Sequence, residues 1–331
     1  MKLSIYAETW QLRETFRIAH HKITHSYIIR VVLQDGAIFG QGEAEAHDVN
    51  PDEMDIVVKE IQKVKDLIEQ GRPWPMIYPS VHHLRARNAL DCMYWDFEAN
   101  RNGIPVWQKI GHTKPKPLTT AYTIGIDTAE KMESKAFSNR HRKLLKIKLG
   151  CRQGDMKRIE GVRRAAPNSD LIIDANEGWT FDQLIKYAPY LHQLGVKLIE
   201  QPLPAENDYS LVKFKSPVAL CADESCHTRA DLPNLIDRYQ FVNIKLDKTG
   251  GLTEALLLAS DAKKAGLRLM TGCMVGTSLA MAPAMLIGSL SEFVDLDGPL
   301  LLREDRKNGL QYCDVTSSVY SSGVELWGER I

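Results

Sequence analysis

Residues 143–150 read Lys143-Leu-Leu-Lys146-Ile-Lys148-Leu-Gly150, with two lysines spaced two apart in an otherwise apolar run. Strand side chains alternate between faces, so Lys146 and Lys148 share one. In a strand buried on both sides, two ammonium groups would converge on an interior that rejects unpaired charge. Either the strand ends at Gly150 and both amines are solvated at its mouth, as ionisable groups usually are, or they face a site.

Outward from this stretch the chain repeats one rhythm. Apolar runs recur at 144–149, 171–174, 196–200, 218–223, 241–246, 267–271 and 293–296, separated by amphipathic stretches. Helix starts are legible at Thr180-Phe-Asp-Gln183, a capping box, and after Thr228. Short strands alternating with helices indicate βα units in a parallel sheet, and seven or eight units that close make a barrel. An open doubly wound sheet competes, but no Gly-x-Gly-x-x-Gly turn follows any strand.

Before residue 116 the grammar differs. Strands are expected over 3–12, 26–33 and 37–45, with Asp35-Gly36 as a turn and the histidine-rich stretch 17–25 as a loop. Helices are expected over 52–70 and about 80–100, the second stopped by Asn102-Gly103. Gly111 to Pro117 is the linker. The expected architecture is an α+β capping domain over 1–115, completed by about 299–331, and a (β/α) barrel over 116–298.

Composition narrows the partners. Lys plus Arg and Asp plus Glu both number 42, leaving no net field to hold a nucleic acid or an anionic membrane. The best apolar run, 279–290, is too short to span a bilayer and contains Pro283, and no basic-then-apolar leader opens the sequence. The six cysteines lack zinc-type or Cys-x-x-Cys spacing and fit reduced thiols. A soluble cytoplasmic protein is expected; homo-oligomerisation is left open.

In a barrel, functional groups sit at the carboxyl ends of the strands. There the sequence offers Asp174, Glu200 and Asp223 on three neighbouring strands. Each could cap a helix or pair with an arginine, but three in register would repel unless a cation sat among them. All-oxygen donors suit Mg²⁺. Lys148 and Lys245 lie on strands flanking that arc and would approach a metal-held substrate from opposite faces as an acid/base pair. A neutral lysine near pH 7 costs its charged form roughly 4 kcal/mol, so the site must be preorganised. Asp295 and Asp297, sharing one strand face and expected far from the triad, suit a substrate ammonium, or bond the Gly298-Pro299 turn.

Together the Lys-x-Lys pair, Asp174-Ala-Asn176, Glu200-Gln-Pro202, Ala222-Asp-Glu-Ser225, Asn243-Ile-Lys-Leu246 with Lys248-Thr-Gly-Gly251, and Arg87-Asn-Ala-Leu-Asp-Cys92 resemble the enolase superfamily over nearly the whole chain. The likeness is to its muconate-lactonising subgroup, and Asp295-x-Asp297 resembles the dipeptide epimerases, in particular L-Ala-D/L-Glu epimerases. The resemblance implies a modified (β/α)7β TIM-like barrel with Mg²⁺ on Asp174, Glu200 and Asp223. It implies Lys148 and Lys245 as proton-transfer residues and Lys146, Thr123, Cys273, Asp295 and Asp297 as substrate contacts. The implied reaction is 1,1-proton transfer at the C-terminal residue of an L-Ala-L/D-Glu dipeptide, used in murein recycling. One departure is that the loop where such epimerases carry an acid-binding arginine reads Ala19-His20-His21-Lys22-Ile23-Thr24. Lys22 or a histidine is the candidate replacement, without the guanidinium fork; His20, His21 and His25 could equally be solvated. The 17–25 loop and His47-Asp48 are expected to flap over the barrel. The alternatives are a dipeptide epimerase of other side-chain preference; a cycloisomerase, o-succinylbenzoate synthase or N-acylamino acid racemase on the same scaffold; or a non-catalytic barrel that binds peptide or metal.

Overall fold

Period-2 alternation through residues 2–45 gives an antiparallel sheet, ordered β1 (Lys2–Arg17), β2 (Lys22–Asp35), β3 (Ile38–Glu45). The computed structural model describes residues 1–46, 52–151, 153–320 and 326–328. The stretch 17–25 is largely strand rather than loop. Phe16 pairs with Ile23 and Arg17 with Lys22, leaving a tight turn closed by the Ile18 amide on the His21 carbonyl at 3.0 Å. A register shift between Gln11 and Phe16 lets the polar end of β1 resume pairing, and β-branched Ile23 and Thr24 favour extended backbone. His47 and Asp48 lie outside the described residues.

Helix α1 (Glu53–Glu69) buries Val57, Ile61, Val64 and Ile68, one stripe at three- and four-residue spacing. Helix α2 begins at Leu84, not Ser80, because residues 78–80 form a 3₁₀ turn, and it runs to Asn102. Gly103 ends it at φ 63°, donating its amide to the Ala99 carbonyl. On β3, a Cβ at Gly42 would stand 2.1 Å from the Ala89 carbonyl oxygen, so only glycine lets the α2 backbone rest on the strand.

After the irregular connection 111–117 and β4 (Leu118–Thr119), eight parallel strands follow. They are β5 (Tyr122–Ile124), β6 (Leu144–Lys148), β7 (Asp170–Asp174), β8 (Val196–Glu200), β9 (Ala219–Ala222), β10 (Phe241–Ile244), β11 (Arg268–Thr271) and β12 (Phe293–Val294). Each hydrogen-bonds its sequence neighbour, and the Ala121 amide reaches the Val294 carbonyl at 2.8 Å, joining last strand to first. Crossovers are α3 (Ala129–Ser138), α4 (Asp155–Ala165), α5 (Phe181–Gln193), α6 (Leu252–Lys264), α7 (Ser278–Gly288) and shorter helical turns over 205–213 and 229–235. Thr180 caps α5 in the expected reciprocal box with Gln183. The fold is a modified (β/α)7β TIM-like barrel with an α+β capping domain. Strand β5, only three residues long, was not among the expected runs.

The chain then crosses back to the cap. The Arg303 amide donates to the Gln11 carbonyl at 2.8 Å, and Trp327 Nε1 to the Cys92 carbonyl at 3.0 Å. The Arg306 guanidinium joins Glu8 and Glu43, each at 2.7 Å. Strands β13 (Gln311–Cys313) and β14 (Ser318–Tyr320) pair with each other, and β14 with β4. Among the described residues no helix is long and apolar enough to cross a membrane; the 279–290 run lies largely in α7.

Candidate active site

Parity sorts each strand. Leu145, Ile147, Leu171, Ile173 and Ile199 belong to the outer core, whereas Leu144, Ile172, Leu198, Cys221, Phe241 and Met270 form a separate apolar cluster. Two residues further along, on the face of Leu144, Ile172 and Leu198, the layer turns charged: Lys146, Asp174 and Glu200. Register sets the level, since Lys148 pairs across from Asp174 and Asp174 from Glu200. Asp223 follows β9, its amide held by Gln201 Oε1 at 2.9 Å. Buried Asp174, Glu200 and Asp223 each offer an oxygen within 4.8 Å of the others.

The lysines thread this arc. Lys148 Nζ lies 2.6 Å from Asp174 Oδ2 and donates to Asn176 Oδ1 at 3.0 Å. At the other end Lys245 Nζ lies 2.6 Å from Asp223 Oδ2. Lys146, 1% exposed, reaches Asp295 Oδ2 at 2.7 Å, Glu200 Oε2 at 2.8 Å and Asp174 Oδ2 at 3.1 Å. The Asp295-x-Asp297 motif is therefore not remote from the triad: Lys146 bridges them.

Burial raises all three triad acids, and the lysines answer it unevenly. Lys148 and Lys146 overcome burial at Asp174 and hold its carboxyl at about 2. Lys245 and Lys248 hold Asp223 well below the usual range. Burial and the Asp174 charge leave Glu200 up at about 7. Burial also works against the Lys245 and Lys146 ammonium groups, but Asp223 beside the first and Asp295 beside the second lift both above an ordinary lysine.

Asp297 Oδ2 accepts the Thr123 amide at 2.6 Å, and Thr123 Oγ1 donates to Asp295 Oδ1 at 3.4 Å. Burial and the neighbouring Asp295 push Asp297 to about 7. Above this layer is a cavity of about 690 Å³ between barrel mouth and cap. Lys148, Lys245, Asp223 and Cys273 line it; Thr123, Lys146, Asp174, Glu200, Asp295 and Asp297 do not, and lie buried. Six histidines also line it: His20, His21, His25, His82, His83 and His227. Lys22 does not line it, because it sits on the other strand face from His21 and Ile23.

The donor set fits a hard divalent cation: three buried carboxylates confined together, with no nitrogen or sulfur ligand. Sequence reading missed four supporting residues. Lys248 donates to the Cys226 carbonyl at 2.9 Å and pairs with Asp223 Oδ1 at 2.5 Å. Asn243 Nδ2 donates to Glu200 Oε1 at 2.7 Å. Glu224, beside the triad and raised to about 8 by burial and the Asp223 charge, accepts from Asn176 Nδ2 at 3.1 Å. Asn243, at even spacing from Phe241 and Lys245, was the one that alternation alone pointed to.

Comparison with known proteins gives the family. Residues 128–314 match the enolase C-terminal domain-like family. An N-acetyl-D-glutamate racemase from Pseudoalteromonas is 50% identical over 243 residues, covering 73% of this chain and 76% of its own. The L-Ala-D/L-Glu epimerase of Escherichia coli K12 is 39% identical, covering 94% and 97%. A solved Agrobacterium tumefaciens enolase family member with homology to dipeptide epimerases, with bound sodium and L-Ala-L-Glu, superposes at a TM-score of 0.94 with 42% identity over 98% of this chain and 99% of that one. The chain belongs to the enolase superfamily, in its dipeptide-epimerase branch. It is an isomerase of the epimerase class.

Proposed function

We propose that this protein is a Mg²⁺-dependent epimerase of L-Ala-L/D-Glu-type dipeptides, acting at the α-carbon of the C-terminal residue. The observation that carries this is that Lys148 and Lys245 stand at the two ends of the carboxylate arc, each 2.6 Å from its outer member. Asp174, Glu200 and Asp223 would hold the cation, which when bound would supply positive charge beside the substrate carboxylate. Lys148 takes the α-proton from one face and the bonding pair moves into the carboxylate. Lys245, as the ammonium, returns a proton to the other face; the reverse direction exchanges their roles. Lys146 compensates the carboxylates beneath, and Asp295 with Asp297 receives the substrate α-ammonium. Thr123 steadies that pair, and Cys273 shapes the wall.

The histidine-lined mouth supports an acidic side chain as the group recognised there. Residues 1–115 with 299–331 act as the cap and 116–298 as the catalytic barrel, and the cytoplasmic role is recycling of murein-derived dipeptide. A second reading is favoured by the 50% identity to the N-acetyl-D-glutamate racemase: an N-acylated glutamate offers the same α-proton and carboxylates without the ammonium. Asp295 and Asp297 already have internal partners in Lys146 and the Thr123 amide, which an acetyl group would leave undisturbed.

The test is proton NMR in D₂O of L-Ala-L-Glu and of N-acetyl-D-glutamate with protein and Mg²⁺. Deuterium entry at the glutamyl α-carbon with appearance of the opposite configuration, abolished by EDTA, is expected. Faster turnover of the dipeptide supports the first reading and of the acetyl compound the second. Inertness of both, followed by inertness of other L-Ala-Xaa dipeptides, refutes the epimerase reading.

A further inference from the structure

Lys148 has a four-carbon stem and two polar partners, which are not equivalent. Asp174 Oδ2 is shared with Lys146 at 3.1 Å and belongs to the candidate cation triad. Asn176 Oδ1, at 3.0 Å, serves Lys148 alone among the hydrogen bonds of the described residues. The Asn176 amide is also fixed in orientation. Its Nδ2 donates to Glu224 Oε1 at 3.1 Å, which leaves its oxygen facing the lysine, where Lys148 Nζ donates to it.

The backbone is shaped for this. Asn176 sits at φ 40° with its amide donating to Asp174 Oδ1 at 2.9 Å, and Glu177 follows at φ 64°. Asparagine visits this left-handed region more readily than most side chains, and such conformations gather at functional sites. Glu224 is a costly anchor: it lies beside buried Asp223, and its Oε2 is buried without a hydrogen-bond partner among the described residues. Nothing comparable holds the other lysine, whose polar partner among the described residues is Asp223.

We infer that Asn176, oriented by Glu224, is a positioning residue that aims the Lys148 amine at the substrate, so that it serves one face of the reaction and not the other. The inference rests on the two-lysine reading above. Its signature is asymmetry. Proton exchange without inversion needs one lysine, so exchange measured from each pure epimer reports each lysine separately, and Lys148→Ala identifies which epimer Lys148 serves.

Asn176→Gly is the cleanest variant because glycine accepts φ 40° without strain. In D₂O with Mg²⁺, N176G is expected to slow exchange of the Lys148-served epimer by about 10–100-fold, as loss of a supporting contact typically does. Exchange of the other epimer and the Mg²⁺ midpoint should stay near wild type. E224A should reproduce the pattern, and E224Q, which keeps an acceptor for Asn176 Nδ2, should restore it. Equal slowing of both epimers, or slowing confined to the Lys245-served one, overturns the inference. Failure of wild type to exchange any substrate refutes the two-lysine reading instead. A crystal structure of N176G then decides the positioning claim by itself: Lys148 in several rotamers supports it, and a single rotamer unchanged from wild type overturns it.

Discussion

The floor of the site and its rim are built by opposite means. At the floor, strand register and buried pairing fix every charge: Lys146, Lys148, Asp174 and Glu200 stand on adjacent strands with partners at 2.6–3.1 Å. At the rim, the β1–β2 turn carries His20, exposed, and His21, half-buried, in edge contact with each other. The floor suits a reaction that needs sub-ångström placement, and the rim suits recognition that can vary without disturbing the chemistry.

The sharpest way to break that division is at the floor. Lys148→Ala or Lys245→Ala should cut epimerisation by about 10²–10⁴-fold, the usual worth of a positioned acid or base, while circular dichroism and the urea midpoint stay close to wild type. An active K245A would remove the distinction between floor and rim.

The return of the chain onto the capping sheet should respond in stability instead. Arg306→Ala leaves buried Glu43 without its cation, and breaking a buried pair costs about 3–5 kcal/mol. Urea denaturation should show a loss of that order.

Asp247 sharpens the boundary from the other side. Its Oδ1 accepts from Asn88 Nδ2 at 3.0 Å and the Glu45 amide at 3.1 Å, and burial pushes its carboxyl up to about 6. The stability it contributes is fully present below the unfolded value near 3.8 and lost as pH rises through about 6. Asparagine keeps the accepting oxygen, so Asp247→Asn should stabilise the fold by up to about 3 kcal/mol at pH 8 and hardly at pH 4. Thermal melts at the two pH values check this.

The smallest effect belongs to the rim. Exposed charge contacts are worth about 0.2–1 kcal/mol, so replacing His20 and His21 by alanine should raise KM for an acidic substrate by up to about fivefold and leave kcat unchanged. A large fall in kcat would place the turn inside the chemistry.

The same contrast governs what could be read from the chain. Period-2 alternation exposed Lys146 and Lys148, and the rule that barrel chemistry gathers at the carboxyl ends of strands exposed Asp174, Glu200 and Lys245, because a charge in a buried parallel strand makes sense only where it faces the barrel mouth. It failed where structure is not periodic. Strand β5 is too short to show a pattern, and the end of β1 is polar and pairs only after a register shift. Lys248, quoted in the sequence only as part of a motif, is buried among the carbonyls of Cys226 and Asn243, which no local pattern brings to it. Asn176 and Glu224 meet across 48 residues of chain, a closeness that no local rule supplies.

The central claim is that Lys148 and Lys245 address opposite faces of one α-carbon. The most direct measurement is deuterium exchange by NMR from pure L-Ala-L-Glu and pure L-Ala-D-Glu, or the matching N-acetyl-glutamate enantiomers, with K148A and K245A. Each variant is expected to keep exchange of a single epimer, and the two variants to keep opposite ones. Loss of both epimers in either variant, or the same surviving epimer in both, would contradict that claim.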